Sequence, residues 1–540
     1  MFKYINKKLR YGFFRLTEQN NHPPKPEDDS KKTQETLISG NLTADLEYIR
    51  KLLGTSSDIK MHEFRYGEDF QLKGALVFVD GLVSNEILTE SIMKPLIMNR
   101  NLSPFQTSSM QKTLDTVRQT ILCSGDITEK YTIGELVESC LSGDTVFLSE
   151  GFDKALIISS KGWEKRSITE PQTESVVRGP REGFTENFRT NTALIRRRIK
   201  SANLRLDHMS IGEKTDTNVC VAYIDGVADP NIVDTVKARL KSINTDAIMD
   251  SGYIEQYIED HPFSLFPTVG YSEKPDVITA RMLEGRVAII SDGSPFVTTA
   301  PMLLLESFQT SEDYYIRPYF ASLLRIFRYL AFIITVSAPA FFIALTTYHQ
   351  ELIPTTLLLT IISAREGTPF PATLEAIILI LSFEILREAG VRLPRPLGQA
   401  ISIVGALVMG EAAVTAGLVG APMVITIAIT AVAEFAVPDQ SEAASILRII
   451  FLVLASVLGA YGIALGFLGV LIHLASLKSF GVPYCTNLTF NHNMQDSYIR
   501  MPLWFMSKRP KAIVGQDKTR NKTNTPPSPL SKNSSPEENP

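Results

Sequence analysis

Residues 329–477 constrain this chain most. Long apolar runs alternate there with short breaks marked by charge, proline or glycine. Between 412 and 433 no side chain is charged, and from 449 to 477 only His473 can titrate. A crossing of a bilayer takes about 20 apolar residues. Lipid offers no partner to a bare backbone group, so such runs fold as helices. The block 329–478 therefore reads as an α-helical multi-pass membrane domain of about four crossings plus broken or re-entrant segments.

The expected pieces are 329–348 with Pro339 inside, a short run at 352–364, then 372–388 and 399–418. After them comes 422–437, which spans only about 24 Å as a helix, and then 449–477 at about 43 Å. Arg317, Arg325 and Arg328 precede the first run, and the 372–388 run leads to Arg387 at its end and to Arg392 and Arg395 beyond it. Lys478, Lys508, Arg509, Lys511, Lys518, Arg520 and Lys522 follow the last. Positive residues mark the cytoplasmic side, so both termini are expected in the cytoplasm.

At 540 residues the chain exceeds one core. The part before the membrane block carries an internal repeat. LVFVDGLVSNEILTESIMKPL, starting at Leu76, matches VAYIDGVADPNIVDTVKARL, starting at Val221. In both, a β-branched and aromatic run ends at Asp-Gly (Asp80-Gly81, Asp225-Gly226) and gives way to a helical pattern. That is a buried strand, a turn in which glycine takes a positive φ, and a helix. The expected fold is an α/β soluble N-terminal domain of two repeated subdomains, 37–175 and 205–310. Residues 176–204 read as a connector helix, with Arg196, Arg197 and Arg198 at its end. Residues 1–36 form a basic, proline-rich disordered tail with no signal-peptide core. Residues 479–540 form a cytoplasmic tail, disordered at its end.

A net charge of −4 argues against a nucleic-acid binder. The four cysteines, Cys123, Cys140, Cys220 and Cys485, are scattered and show no metal-ligand spacing. No nucleophile elbow, phosphate-binding loop or paired acid and base emerges. No enzyme, cofactor or metal site is expected, and the Asp-Gly turns read as turns and helix caps.

Ionisable residues inside a membrane block are candidates for function. Glu384, Arg387 and Glu388 have helical spacing for an ion pair. Glu411 and Glu434 show no local partner. Thr426, Thr430 and Glu434 recur every fourth residue, so they share one helix face. Together with Glu411 they are the candidate ion pathway, because hydroxyls and carboxylates facing a pore favour cations. Equally open is that the threonines bond back to their own helix. Gly459, Gly462, Gly466 and Gly469 repeat at three and four residues and are the candidate helix-packing face.

Several stretches carry a family resemblance: AREGTPFP from Ala364, FEILREAGVRLPRPLGQAISIV from Phe383, SVVRGPREGFTENFRTNTALIRRR from Ser175, and GRVAIISDGSP from Gly285. These resemble the A subunit of the bacterial spore germinant receptor, the GerA family, over about 76–485. The resemblance implies a membrane subunit that triggers germination in response to nutrients, in the spore inner membrane. It implies a transporter-like B subunit and a lipoprotein C subunit as partners, and a ring-like homo-oligomer acting as a ligand-gated ion channel. The alternative is a secondary transporter of a small molecule or ion. Such transporters show repeated halves within the membrane, whereas the repeat here lies in the soluble part.

Overall fold

The computed structural model describes residues 36–54, 56–67, 70–98, 117, 126–162, 171, 173–174, 176–392, 410–486 and 496–520. They fall into two compact units. The first is drawn from Met1–Leu52, Met61–Phe78 and Asn85–Ser160, and the second from Leu53–Lys60, Val79–Ser84 and Lys161–Pro540.

The first unit opens with helix α1 (Leu42–Leu53) and is built on a five-stranded sheet. Its strands are β1 (Ile59–Tyr66), β2 (Leu72–Val79), β3 (Ile127–Lys130), β4 (Thr145–Ser149) and β5 (Ala155–Ile158). Helix α2 (Ile133–Leu141) separates β3 from β4. The strand order is β1-β2-β4-β5-β3.

The soluble part of the second unit repeats that plan. After helix α3 (Phe188–Arg198) come β6 (Leu204–Ile211), β7 (Thr217–Ile224), α4 (Pro230–Ser242), α5 (Ser251–Ile258), β8 (Gly270–Ser272), α6 (Pro275–Leu283), β9 (Val287–Ser291) and β10 (Val297–Ala300). The order is β6-β7-β9-β10-β8, strand for strand that of the first sheet. Gly81 and Gly226, which end the matching strands β2 and β7, both take positive φ, 87° and 80°.

Alternation along β7 divides its side chains between two helical layers, as the pleat requires. Val219 and Val221 pack with Ile232 and Val236 of α4 and Ile254 and Ile258 of α5. Cys220 and Ala222 pack with Leu194 and Ile195 of α3 and Ile278 and Met282 of α6. The helix expected as a connector thus covers one face of the second sheet. Asn187 caps it by accepting from the Thr190 N–H at 3.0 Å. Its Arg196 is buried on Asp58, at 2.8 and 2.9 Å, while Arg197 and Arg198 pair with Glu182.

Beyond them lie helices α7 (Pro318–Thr347), α8 (Thr355–Arg365), α9 (Ala372–Arg392), α10 (Ala421–Glu434) and α11 (Ser441–Ser476). Among the described residues, two helical stretches, Pro318–Thr347 and Pro438–Ser476, are long and apolar enough to cross a membrane. The first begins well before the expected span and carries Pro339 in its interior. The second corrects an expectation, since the run 449–477 is no single long crossing. Gly459 has φ 60° and ψ −140°, outside the helical region. The Phe451 and Phe467 rings stand 4.8 Å apart, whereas 16 residues of straight helix would separate them by about 24 Å. Helix α11 therefore doubles back as two antiparallel arms, each roughly 26 Å long.

The polar C-terminal segment is also more structured than its composition suggests. β11 (Lys478–Ser479) pairs with β12 (Val482–Pro483), and Phe480, Val482 and Ile513 enter the core of the second sheet. Val514 bridges to Ala228, and the Arg509 Nε donates to the Leu283 carbonyl at 2.7 Å. Outside the described residues lie the 1–35 tail, residues 521–540, and 393–409, which hold most of the expected 399–418 crossing and Arg395.

Candidate functional site

Helices α9, α10 and α11 bring together the side chains of Glu384, Arg387, Glu434 and Arg448. Arg448, one turn or two into the first arm of α11, donates from Nη1 to Glu434 Oε2 at 3.0 Å and from Nη2 to Glu384 Oε1. Arg387 donates to Glu384 Oε2 at 2.7 Å, one helical turn along α9, and to Glu434 Oε1. The Ser445 hydroxyl joins both carboxylates, at 3.1 Å to Glu384 and 3.2 Å to Glu434. Two cations thus balance two anions. Glu434 and Arg448 are almost wholly buried, while Glu384 and Arg387 keep a quarter to a third of their surface.

A second tether holds the other end of α10. Glu375, fully buried, pairs with Arg365 at 3.5 Å and accepts from the Gly420 N–H at 3.4 Å. Gly420 is the N-cap of α10. Early and late residues of α9 therefore hold the start and end of α10, so the two helices run parallel. Between the tethers Ala376, Ile380, Met423, Ile427, Leu452 and Ile343 form a shared apolar core.

The sequence candidates take these places. The Thr426 hydroxyl donates to the Pro422 carbonyl at 2.9 Å, and that of Thr430 to the Thr426 carbonyl at 2.7 Å. Thr430 and Glu434 are buried, while Ile425, Ile429 and Val432 form the exposed face of α10. The polar stripe thus faces protein. Glu434 has two cationic partners where the sequence offered none nearby, because Arg448 and Arg387 arrive from other helices. Glu411 is exposed and is not brought to this cluster; its carbonyl accepts from the Thr415 hydroxyl at 2.8 Å.

Of the glycines, Gly459 makes the bend, where an added Cβ would meet Tyr348 at 3.0 Å. A Cβ on Gly462 would fall 2.2 Å from the Leu454 carbonyl oxygen, and one on Gly466 would fall 3.1 Å from the Phe451 ring. These two therefore let the arms of α11 approach. Gly469 faces open space. Tyr348 and His349 close the corner. The Tyr348 hydroxyl donates to the carbonyls of Ser456 and Val457, at 2.5 and 3.2 Å, and the Ala460 N–H donates to His349 Nε2 at 3.4 Å. Helix ends otherwise leave such groups without partners.

Near the start of α7, Arg325 has no exposed surface. It binds Asp313 at 2.9 Å and Asp496 at 3.0 Å, and Arg328 also binds Asp313. Burial raises the Asp496 carboxyl to about 6 against the pull of Arg325 and Tyr314. His473, at the end of α11, meets the Ser264 hydroxyl at 3.0 Å. Sequence reasoning missed Arg448 and Asp496. Arg448 was detectable as a lone cation flanked by SIL and IIFLV.

The Bacillus/Clostridium GerA spore germination protein family matches residues 47–512 of this chain. Spore germination protein KA of Bacillus subtilis (strain 168) is 43% identical over 92% of this chain and 91% of its own. Spore germination protein GerLA of Bacillus cereus is 38% identical over 89% of this chain and 97% of its own. The crystal structure of the N-terminal domain of the A subunit of the Bacillus megaterium spore germinant receptor GerK3 aligns at 32% identity. That alignment has a TM-score of 0.39 and covers 50% of this chain and 98% of that one.

Proposed function

Because the chain belongs to the Bacillus/Clostridium GerA family of spore germination proteins, we propose that it is the multi-pass membrane subunit of a germinant receptor, gating an ion path in response to nutrients. The observation that carries this reading is the charge cluster around Glu434. Burying Glu434 and Arg448, with Glu384 and Arg387 part-exposed beside them, is a poor way to gain stability, since apolar packing does as well or better. A charge-balanced cluster does supply two discrete arrangements, paired and parted, as a switch requires.

In the described arrangement Glu434 is held by Arg448 and Arg387, and the Thr426–Thr430–Glu434 stripe is turned into the subunit. This is the closed state. Opening releases Glu434 and exposes the stripe to a water-filled path, on which Glu411 would add a second carboxylate. The path is cation-selective because carboxylates line it. The receptor assembles from a ring of these chains together with a transporter-like B subunit and a lipoprotein C subunit, in the spore inner membrane with the termini in the cytoplasm. The duplicated folding plan lies in the two soluble sheets, which favours a channel over a transporter built of repeated membrane halves.

Spores lacking this chain should lose germination to one class of nutrient and regain it on complementation. Unchanged germination across a full nutrient panel would remove the receptor assignment.

A further inference from the structure

A turn between α5 and β8 stands against the end of α11. The Ser264 N–H closes it by donating to the His261 carbonyl at 2.9 Å. The Ser264 hydroxyl accepts from the Phe266 N–H at 3.1 Å and meets His473 Nε2, in the second arm of α11, at 3.0 Å. Phe266 is buried in one apolar cluster with Leu474 and Leu477. One side of the turn is therefore fixed to the last turn of α11. On the other side Phe263 is 99% exposed, and His261 and Pro262 are exposed with it.

Apolar residues exposed singly carry no message, whereas a continuous exposed patch marks a binding surface. Phe263 belongs to such a patch. It is one residue from Ser264, and Ile472 is one residue from His473, the pair that bond each other. Leu468, Leu471 and Ile472 are all exposed on that arm, the last two at 61% and 63%. The arm is about 26 Å long, against about 30 Å for the hydrocarbon core of a bilayer. A crossing that short has no length to spare, so its His473 end lies at the hydrocarbon boundary. The lipid that covers Leu471 and Ile472 then reaches the turn bonded to His473. We propose that the turn at 261–264 is an interfacial anchor, with Phe263 seated in the bilayer where headgroups meet acyl chains, the level at which apolar side chains of surface-bound segments sit. The anchor holds the end of α5 to the same lipid surface as α11. It rests on the membrane placement proposed above and is independent of the gating role of the charge cluster.

The test uses the full chain in lipid nanodiscs and adds one tryptophan at a time, as Phe263→Trp, Ile472→Trp or Glu213→Trp. All three positions are exposed, and Glu213 lies in the turn between β6 and β7, at the end of β7 away from Gly226. The added emission is the difference from wild type at equal concentration. Quenchers are acrylamide in the water and lipids brominated either near the headgroup or near the methyl end. Phe263→Trp should lose emission to lipid bromine, more to the shallow position than to the deep one, and little to acrylamide. Glu213→Trp should lose it to acrylamide alone. If Phe263→Trp behaves like Glu213→Trp, the anchor is overturned. Emission that neither quencher reaches would overturn it too, by putting protein over the turn. Ile472→Trp separates these failures from that of the membrane placement. Quenched by lipid bromine, it keeps α11 in the bilayer whatever Phe263→Trp shows; quenched by acrylamide alone, it would sink both.

Discussion

Arg448 and Glu434 meet across two helices at 3.0 Å, with 2% and 4% of their side chains exposed. Neither charge reaches bulk water, so each depends on the other, on Arg387 and on Glu384. Removing one partner of a buried pair leaves an uncompensated charge and costs about 3–5 kcal/mol. Arg448→Gln alone should destabilise the detergent-solubilised protein by an amount in that range. Adding Glu434→Gln should recover part of the loss, with a coupling of about 0.5–3 kcal/mol. A double-mutant cycle of thermal midpoints reads this, and strictly additive effects would show that the pair is not coupled.

The bend at Gly459 can be measured as a distance. Ile446 and Ile472 are both exposed, one on each arm of α11. Spin labels at Ile446→Cys and Ile472→Cys should lie within about 20 Å, as for neighbouring antiparallel helices allowing for label length. A straight helix would put about 39 Å between them. Electron–electron resonance in lipid nanodiscs decides between the two.

A third prediction concerns pH. Burial, with Glu259, Glu442 and Asp250 nearby, raises Glu255 from about 4.5 to about 7. The folded state then holds a proton that the unfolded chain has released between those values. This contribution to stability is complete below about 4.5 and is lost as pH rises through about 7. The thermal midpoint should fall between pH 5 and pH 8 by several degrees, at about 2–4 °C per kcal/mol for a unit of this size. Glu255→Gln should flatten that slope. An identical slope in the variant would assign the pH dependence to other groups.

The soluble fold was the most legible part of the chain, because a repeat with the same Asp-Gly punctuation demands the same strand, turn and helix twice. The membrane part was legible as helices and less so as an arrangement. Apolar runs report length, and length alone made 449–477 one long crossing. The reversal depends on a single φ at Gly459 and on Tyr348 and His349, which come from a different helix. The charge cluster stayed hidden for a related reason. Glu384 and Arg387 are one turn apart and could be paired from spacing, but Glu434 finds its cations at 387 and 448, which only tertiary packing brings near. The C-terminal segment read as tail because it is polar, yet Phe480, Val482 and Ile513 are enough apolar anchors to fix it on the second sheet.

The gating role of the charge cluster is tested most directly by cation flux. Arg448→Gln should be compared with wild type for release of monovalent cations from spores, with and without nutrient, at matched protein levels. With Arg448 gone, Glu434 keeps only Arg387 and the closed arrangement is weakened. The account predicts release without nutrient, at a rate well above that of wild-type spores. Wild-type release both with and without nutrient, from spores that contain the variant at normal levels, would contradict it.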